Sequence, residues 1–466
     1  MTMQYFRPPD PCFVGDCMPF FHDGTFYVYW LRDENHHQGR GGLGGHEWWL
    51  MTSEDLVHWT DHGRVIRFEQ EWERSFCTGS TFYHDGTFYA FYATRLNDHS
   101  EHLGMAIGTD GVRFEKIGPN PLASPGPELT RDYRDPFVFR DEETGLFHML
   151  LATRRKAPSL HGRGGFLEHL VSRDLRRWEV VEPFLDMDLP GVPECPDYFA
   201  WNGWYYLLFS HGGIAHYRMS RQPLGPWTRP TVDMLNGPMG RVMKTAPFTG
   251  GRRIGVSFIS WLADPADNDR WQWDGNMLFQ ELLQAPDGTL QSRFVPEMIP
   301  AAGEPLDAAW ETRTSGVSAD GSGCVTVASR DGRGAAQTSN VPQDVRVHLR
   351  VVPTAGTVAY GLCLRASNRC EMAAELRLCP SGGTVDLRSP SETLPTPTAR
   401  HCITGVDGLD RPLTLDIVVK GNIVDVCVDE RRCLVNRIPQ LTGSDLLLFC
   451  DNGEATFEEI AVRPLT

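Results

Sequence analysis

Apolar positions alternate with short polar turns through the first two thirds of the chain, and the alternation repeats. Phe20–Trp30 (FFHDGTFYVYW) returns almost word for word as Phe82–Tyr92 (FYHDGTFYAFY). Each is an apolar strand, an Asp-Gly turn and a second apolar strand, the strongest short-range signal for a β-hairpin. Val138–Ala152, Tyr198–Ser210 and Phe248–Ser260 repeat the pattern more loosely. The copies are roughly 50–60 residues apart, near the period of a propeller blade.

A second echo falls between the hairpins. Ser53–Trp59 (SEDLVHW) and Ser172–Trp178 (SRDLRRW) match, and Gly108–Phe114 and Ala285–Leu290 occupy similar places. Each is a turn leading back into a strand, as an outer hairpin requires, and helix signals are scarce. The pattern predicts an all-β chain with a five-bladed β-propeller over residues 1–300. The repeat then stops at the Pro/Gly/Ala-rich stretch Pro300–Pro305. Alternating strands follow at Val345–Val352, Val358–Leu364, Thr414–Val419 and Ile423–Val428, with a last pair at Leu446–Cys450 and Ala455–Val462. They predict a C-terminal β-sandwich over residues 301–466.

Composition narrows the function. The net charge of −16 argues against nucleic acid and anionic membranes as partners, since both need basic patches. No run of apolar residues is long enough for a membrane span. The first ten residues lack the basic and apolar regions of a signal peptide, so the expected location is cytoplasmic. The 12 cysteines show neither CxxC pairs nor Cys/His ligand spacing and are expected to be reduced thiols, mostly buried.

The candidate chemistry is carboxylate chemistry. A propeller focuses the leading strand of every blade on one central funnel, so acids far apart in sequence can converge. Asp16 (FVGDCMPFF), Asp135 (YRDPFVF) and Glu194 (VPECPDYF) lie just before hairpins one, three and four, each flanked by apolar residues and Pro. They read as occupying one equivalent place in their repeats. Clustered carboxylates cannot all ionise easily, so one is pushed toward retaining its proton. Glycoside hydrolysis needs that pattern: one carboxylate attacks while another holds a proton for the leaving oxygen.

In these motifs the sequence resembles glycoside hydrolase family 32, the invertases, inulinases and levanases. Arg134-Asp135-Pro136 resembles the family's RDP motif, and Glu194-Cys195-Pro196-Asp197 its EC motif. The resemblance implies a five-bladed propeller followed by a sandwich. It makes Glu194 the acid/base, Asp135 a hydroxyl-binding acid that supports the transition state, and Arg134 its partner. Phe76-Cys77-Thr78-Gly79-Ser80 resembles the stretch lining the first sugar subsite, which points to Phe76 and Thr78. Trp48 sits where the family has a subsite Trp, and Trp273-Asp274-Gly275-Asn276 resembles its last-blade Trp element. Asn422–Val428 resembles a sandwich strand pair. The departure lies at the nucleophile. The family writes Trp-Met-Asn-Asp-Pro-Asn-Gly, whereas this chain has Phe13-Val14-Gly15-Asp16-Cys17-Met18-Pro19, keeping the aspartate and losing its neighbours.

The loop Asp33–His46 (DENHHQGRGGLGGH) is peculiar to this chain's pattern. His36, His37 and His46 stand among glycines without a recognised metal spacing, so His36 and His37 are expected to hydrogen-bond sugar, with no metal or cofactor. The expected activity is retaining hydrolysis of fructofuranosides, exo-acting on small sugars, with Asp16 as nucleophile and its carboxyl group roughly 5–5.5 Å from that of Glu194. The rivals are an inverting family 43-like arabinofuranosidase or xylosidase, a fructotransferase forming or opening difructose anhydrides, and a sugar-binding propeller without catalysis.

Overall fold

The computed structural model describes residues 3–262, 271–319, 323–367, 372–388, 402–438 and 441–466. The chain is all-β. Its first part consists of successive antiparallel runs. The first run is β1 (Cys12–His22), β2 (Thr25–Glu34), β3 (Glu47–Ser53) and β4 (Thr60–Ile66). The second is β5 (Ser75–His84), β6 (Thr87–Arg95), β7 (Glu101–Gly108) and β8 (Glu115–Lys116). The third is β9 (Leu129–Arg140), β10 (Phe147–Arg155), β11 (Gly165–Ser172) and β12 (Glu179–Val180), with β13 (Leu185–Leu189) also on β11. Then come β14 (Glu194–Trp201), β15 (Trp204–His211) and β16 (Ile214–Ser220). The last run is β17 (Gly240–Phe248), β18 (Arg252–Leu262), β19 (Trp271–Gln284) and β20 (Leu290–Arg293).

Every hairpin expected over residues 1–300 is present. Asp23-Gly24, Asp85-Gly86 and Asn202-Gly203 each place two successive residues at positive φ, the tight turn whose twist matches the flanking strands. The outer echo is also one structure used twice. Ser53 Oγ accepts the Leu56 N–H at 2.8 Å and Ser172 Oγ that of Leu175 at 2.9 Å. Both leucines take left-handed backbone, and Trp59 and Trp178 donate their indole N–H to the Leu56 and Leu175 carbonyls.

The leading strands of the runs pack in a closed circle: β1 on β5, β5 on β9, β9 on β14, β14 on β17, and β17 on β1. A bridge from Val14 of β1 to Gly275 of β19 joins the first run to the last. Apolar clusters fill the spaces between neighbouring runs.

Residues beyond the linker form a twelve-stranded sheet system around its own core, in which Val347, Leu349, Leu362, Leu376, Val426 and Leu448 are fully buried. One expectation changes here. Leu446–Cys450 and Ala455–Val462 are not a hairpin but parts of one 20-residue strand, Asp445–Pro464. The polar residues between them read as a turn, yet a bulge in the partner strand Val325–Thr338, between Ser329 and Arg333, keeps the ladder intact across them. This part also grips the first. Arg437, 1 % exposed, donates to the carbonyls of Ser260 (2.6 Å) and Ile259 (3.1 Å) and to Asn276 Oδ1 (2.5 Å). Its guanidinium lies over Trp261. A buried cation is held there by three acceptors from β18 and β19, which fixes the strands that form one wall of the cavity described next.

Eleven cysteines are free thiols, eight of them buried; the twelfth, Cys370, lies outside the described residues. No helix among the described residues is long and apolar enough to cross a membrane.

Candidate active site

A cavity of about 590 Å³ opens where the leading strands converge. What aims side chains into it is a repeated defect. Val14 pairs with Arg32 but Cys17 with Trp30; Phe76 with Thr94 but Gly79 with Tyr92; Arg134 with Ala152 but Phe137 with Leu150. Glu194 pairs with Ser210 but Asp197 with Leu208, and Arg241 with Phe258 but Lys244 with Val256. Each leading strand therefore carries one extra residue at the same height. Such a bulge bends the strand and re-aims its side chains. Asp135, Cys195 and Val242 take left-handed backbone there, a costly conformation for residues with a Cβ.

Aligning the bulges corrects the expected equivalence of the acids. Glu194 is the last paired residue before its bulge, Asp135 the first residue of its own, and Asp16 the second. The counterparts of Asp16 are Thr78, Pro136, Pro196 and Met243. Three successive slots, one residue apart, supply the three acids, and the acids sit inside β1 and β9 and at the start of β14 rather than before them.

All three acids line the cavity with Arg134, Cys195 and Thr78. Asp16 is 7 % exposed and Asp135 2 %; the Glu194 side chain is 34 % exposed. Thr78 Oγ1 donates to Asp16 Oδ2, which also takes a contact from Cys195 Sγ at 3.6 Å. The other oxygen, Oδ1, is buried without a protein partner. Asp135 Oδ2 accepts the Cys195 N–H at 2.9 Å. Arg134 Nη2 donates to Glu194 Oε1 at 3.0 Å, and Nη1 to Glu101 and Asp132 at 2.9 and 3.0 Å. Glu101, 3 % exposed, also takes the Arg95 guanidinium and the Tyr133 N–H. It anchors the site from behind, and nothing in the sequence pattern marked it.

Electrostatics follow from this crowding. Burial pushes the Asp16 carboxyl up to about 6; the Thr78 hydrogen bond opposes the rise and the Glu194 charge adds to it. Burial likewise pushes Asp135 up to about 7, against the pull of Arg134 and with the repulsion of Asp16 and Glu194. Burial disfavours the Arg134 charge, but the surrounding carboxylates outweigh it and hold its pKa well above the ordinary value.

The remaining expected site residues divide. Trp273, His36 and His37 line the cavity. Trp273 stacks on His46 with ring centroids 4.7 Å apart, and His36 packs on Phe13 at 3.9 Å. Phe76 contributes to the lining, yet its ring is fully buried against Phe68 and Tyr92. Trp48 is a correction. It is fully buried in the core cluster, does not line the cavity, and spends its indole N–H on the Cys77 carbonyl at 3.1 Å. It supports the Cys77–Thr78 bulge from beneath and offers no face to a sugar.

The sequence reading left three pairs in this wall unrecognised: His46 with Asp33 (2.6 Å), His36 with Asp274 (2.8 Å), and Arg95 with His37 (3.2 Å). The signal was the density of His and Gly in the loop; the partners lie on β2, β19 and β6.

Gly15 explains part of the departure around the nucleophile. A Cβ there would meet Trp273 Cη2 at 2.1 Å, so the indole occupies the space beside Asp16 that any larger residue would fill. Gly15→Ala is expected to displace Trp273 and lower kcat/KM by about 10–100-fold, with an unchanged far-UV circular dichroism spectrum; steady-state kinetics on the folded variant check this.

Buried, mutually repelling carboxylates held by an arginine in one cavity are the group set that glycosidic bond cleavage uses. Residues 16–224 match the model for the "Glycosyl hydrolases family 32 N-terminal domain". It is similar to the levanbiose-producing levanase of Bacillus subtilis (strain 168), at 27% identity over 240 residues, 49% of this chain and 42% of that protein. It is also similar to a sucrose-6-phosphate hydrolase of Escherichia coli, at 26% identity over 301 residues, 58% of this chain and 61% of that protein. The chain thus spans about half the length of the curated relatives it matches. Among solved structures, fructan 1-exohydrolase IIa from Cichorium intybus aligns with a TM-score of 0.76 at 15% identity, covering 100% of this chain and 97% of that one. The sucrose-6-phosphate hydrolase from Lactobacillus gasseri aligns at 0.72 and 16% identity, covering 100% and 93%. These likenesses show the fold, an all-β chain with a β-propeller followed by a β-sandwich.

Proposed function

We propose that this protein is a glycoside hydrolase that cleaves fructofuranosides with retention of configuration, exo-acting on small oligosaccharides. One observation carries the reading: three bulges of the family 32-like part bring Asp16, Asp135 and Glu194 into one cavity with Arg134. The closed circle of leading strands supports a propeller of five blades over residues 1–300, with the sandwich over residues 301–466.

In this mechanism Asp16 attacks the anomeric carbon through Oδ1, the oxygen without a partner, while Thr78 and Cys195 hold Oδ2. Glu194, the most exposed of the three acids, gives its proton to the departing oxygen and then takes one from water. Arg134 fixes its Oε1 and leaves Oε2 for the substrate. Asp135 and Arg134 bind ring hydroxyls as oxocarbenium character develops, and Trp273, His36 and His37 shape the sugar's surroundings. The relatives' names, levanase and sucrose-6-phosphate hydrolase, support a fructose-containing substrate.

Product analysis tests the reading. Purified protein incubated with sucrose, levan- and inulin-type oligosaccharides, difructose anhydrides and pentofuranosides is expected to release fructose, and Glu194→Gln to release about 10²–10⁴-fold less. Proton NMR of the first product is expected to show the substrate's anomeric configuration. Pentose as the sole product, or inverted configuration, would sink the proposal.

A further inference from the structure

The loop Asp33–His46 brings more ligand chemistry to the cavity wall than sugar binding requires. One donor atom from each of Asp33, His37 and His46 lies within 4.8 Å of the others. Asp33 and Asp274 are fully buried and His46 is 3 % exposed. Asp274 comes from β19. Its Oδ1 is taken by His36, while its Oδ2 is buried without a partner.

Three features favour a cation. His37 Nδ1 is buried and has no partner. The His37 and His46 rings converge, with centroids 4.8 Å apart. The space between them is kept open by Gly44, where a Cβ would meet His46 Nε2 at 2.6 Å and His37 Cε1 at 2.9 Å. One carboxylate and two imidazoles are a donor set of zinc sites that leaves a fourth position to water. We propose that Asp33, His37 and His46 bind one divalent transition-metal cation in the cavity wall.

Arg95 Nη1 lies 3.2 Å from His37 Nε2 and equally 3.2 Å from the Leu43 carbonyl. It therefore keeps a partner when His37 turns Nδ1 to the cation. Drawing the donors to bonding distance moves them by an ångström or so, since ligands about 2.1 Å from zinc are about 3.4 Å apart. The cation ties the loop to β2 and fixes the His46 ring on which Trp273 stacks.

The site is read by metal content, without substrate. Full-length protein is incubated with zinc or manganese chloride, gel-filtered and analysed by plasma mass spectrometry. About one equivalent of one metal is expected, at least about tenfold less in Asp33→Asn and His46→Gln, and removal by chelator is expected to lower the melting temperature of the wild type alone. His37→Gln, at a half-buried position, serves if the others fail to fold. Folded wild-type protein that retains less than about 0.1 equivalent of both metals, or variants that retain as much as wild type, overturns the site. A metal-free protein that still releases fructose overturns this inference alone; a metal-loaded protein that cleaves no fructoside overturns only the proposed activity.

Discussion

Replacing Asp16 by Asn is expected to lower kcat by about 10⁴-fold or more, the largest effect of any single change in this cavity. Three observations set that expectation. Of the three acids Asp16, Asp135 and Glu194, Asp16 is the one with an oxygen that is both buried and without a protein partner. Its other oxygen is restrained from two sides, by Thr78 and Cys195, so the attacking atom is aimed in advance. Asn keeps the volume and can still approach Thr78, so the loss measures nucleophilicity rather than collapse. Substrate binding, read by calorimetry, is expected to survive within about tenfold, because the groups assigned to hydroxyl binding are untouched. A kcat within tenfold of wild type would remove Asp16 from the mechanism and hand the reaction to Asp135 and Glu194 alone.

The two hairpins at Phe20–Trp30 and Phe82–Tyr92 were legible because an Asp-Gly turn between apolar strands has one common solution, and the chain uses it at the expected place. The three acids were legible as a convergent set for the same reason, since repeats place equivalent strands side by side. Their exact slots were not. A bulge adds one residue without changing the apolar pattern, so neither alternation nor motif spacing reveals that Glu194, Asp135 and Asp16 stand at three successive positions. Trp48 shows another limit. On β3, burial on one face and exposure on the other look alike in sequence, and only its packing beneath Cys77 decides. The histidine loop was visible as composition, but its partners Asp274 and Arg95 come from β19 and β6. Arg437 was invisible for the same reason: a buried arginine reads as a surface residue until the carbonyls of Ser260 and Ile259 appear opposite it.

The acid limb of the pH profile is expected to reveal the burial of Asp16. The nucleophile must be ionised, and burial, with the Glu194 charge adding to it, raises Asp16 from 3.8 to about 6, while Thr78, His46 and Cys195 pull the other way. kcat/KM, which reports the free enzyme, is therefore expected to fall about tenfold per pH unit below an apparent pKa near 6. Because Asp16, Asp135 and Glu194 interact, the limb belongs to the set rather than to one carboxyl. In Glu194→Gln, assayed with an aryl fructoside whose leaving group needs no proton, the limb is expected to move to lower pH, since one repelling charge is gone. An acid limb near 4, unmoved in that variant, would mean that Asp16 is solvated as an ordinary surface aspartate. The same shift has a second consequence with a fixed sign. In the window between 3.8 and about 6 the folded protein holds a proton on Asp16 that the unfolded chain has lost, so stability is fully present below that window and falls as pH rises through it. Asp135, raised to about 7, extends the fall to neutrality. A shift of about two units, already net of the Thr78 hydrogen bond, corresponds to roughly 3 kcal/mol at most. Asp16→Asn and Asp135→Asn are therefore expected to melt a few degrees above wild type at pH 7.5 and to lose that advantage by pH 4. Catalytic loss and thermal gain in the same variant have one cause, a carboxylate kept charged where water does not reach it.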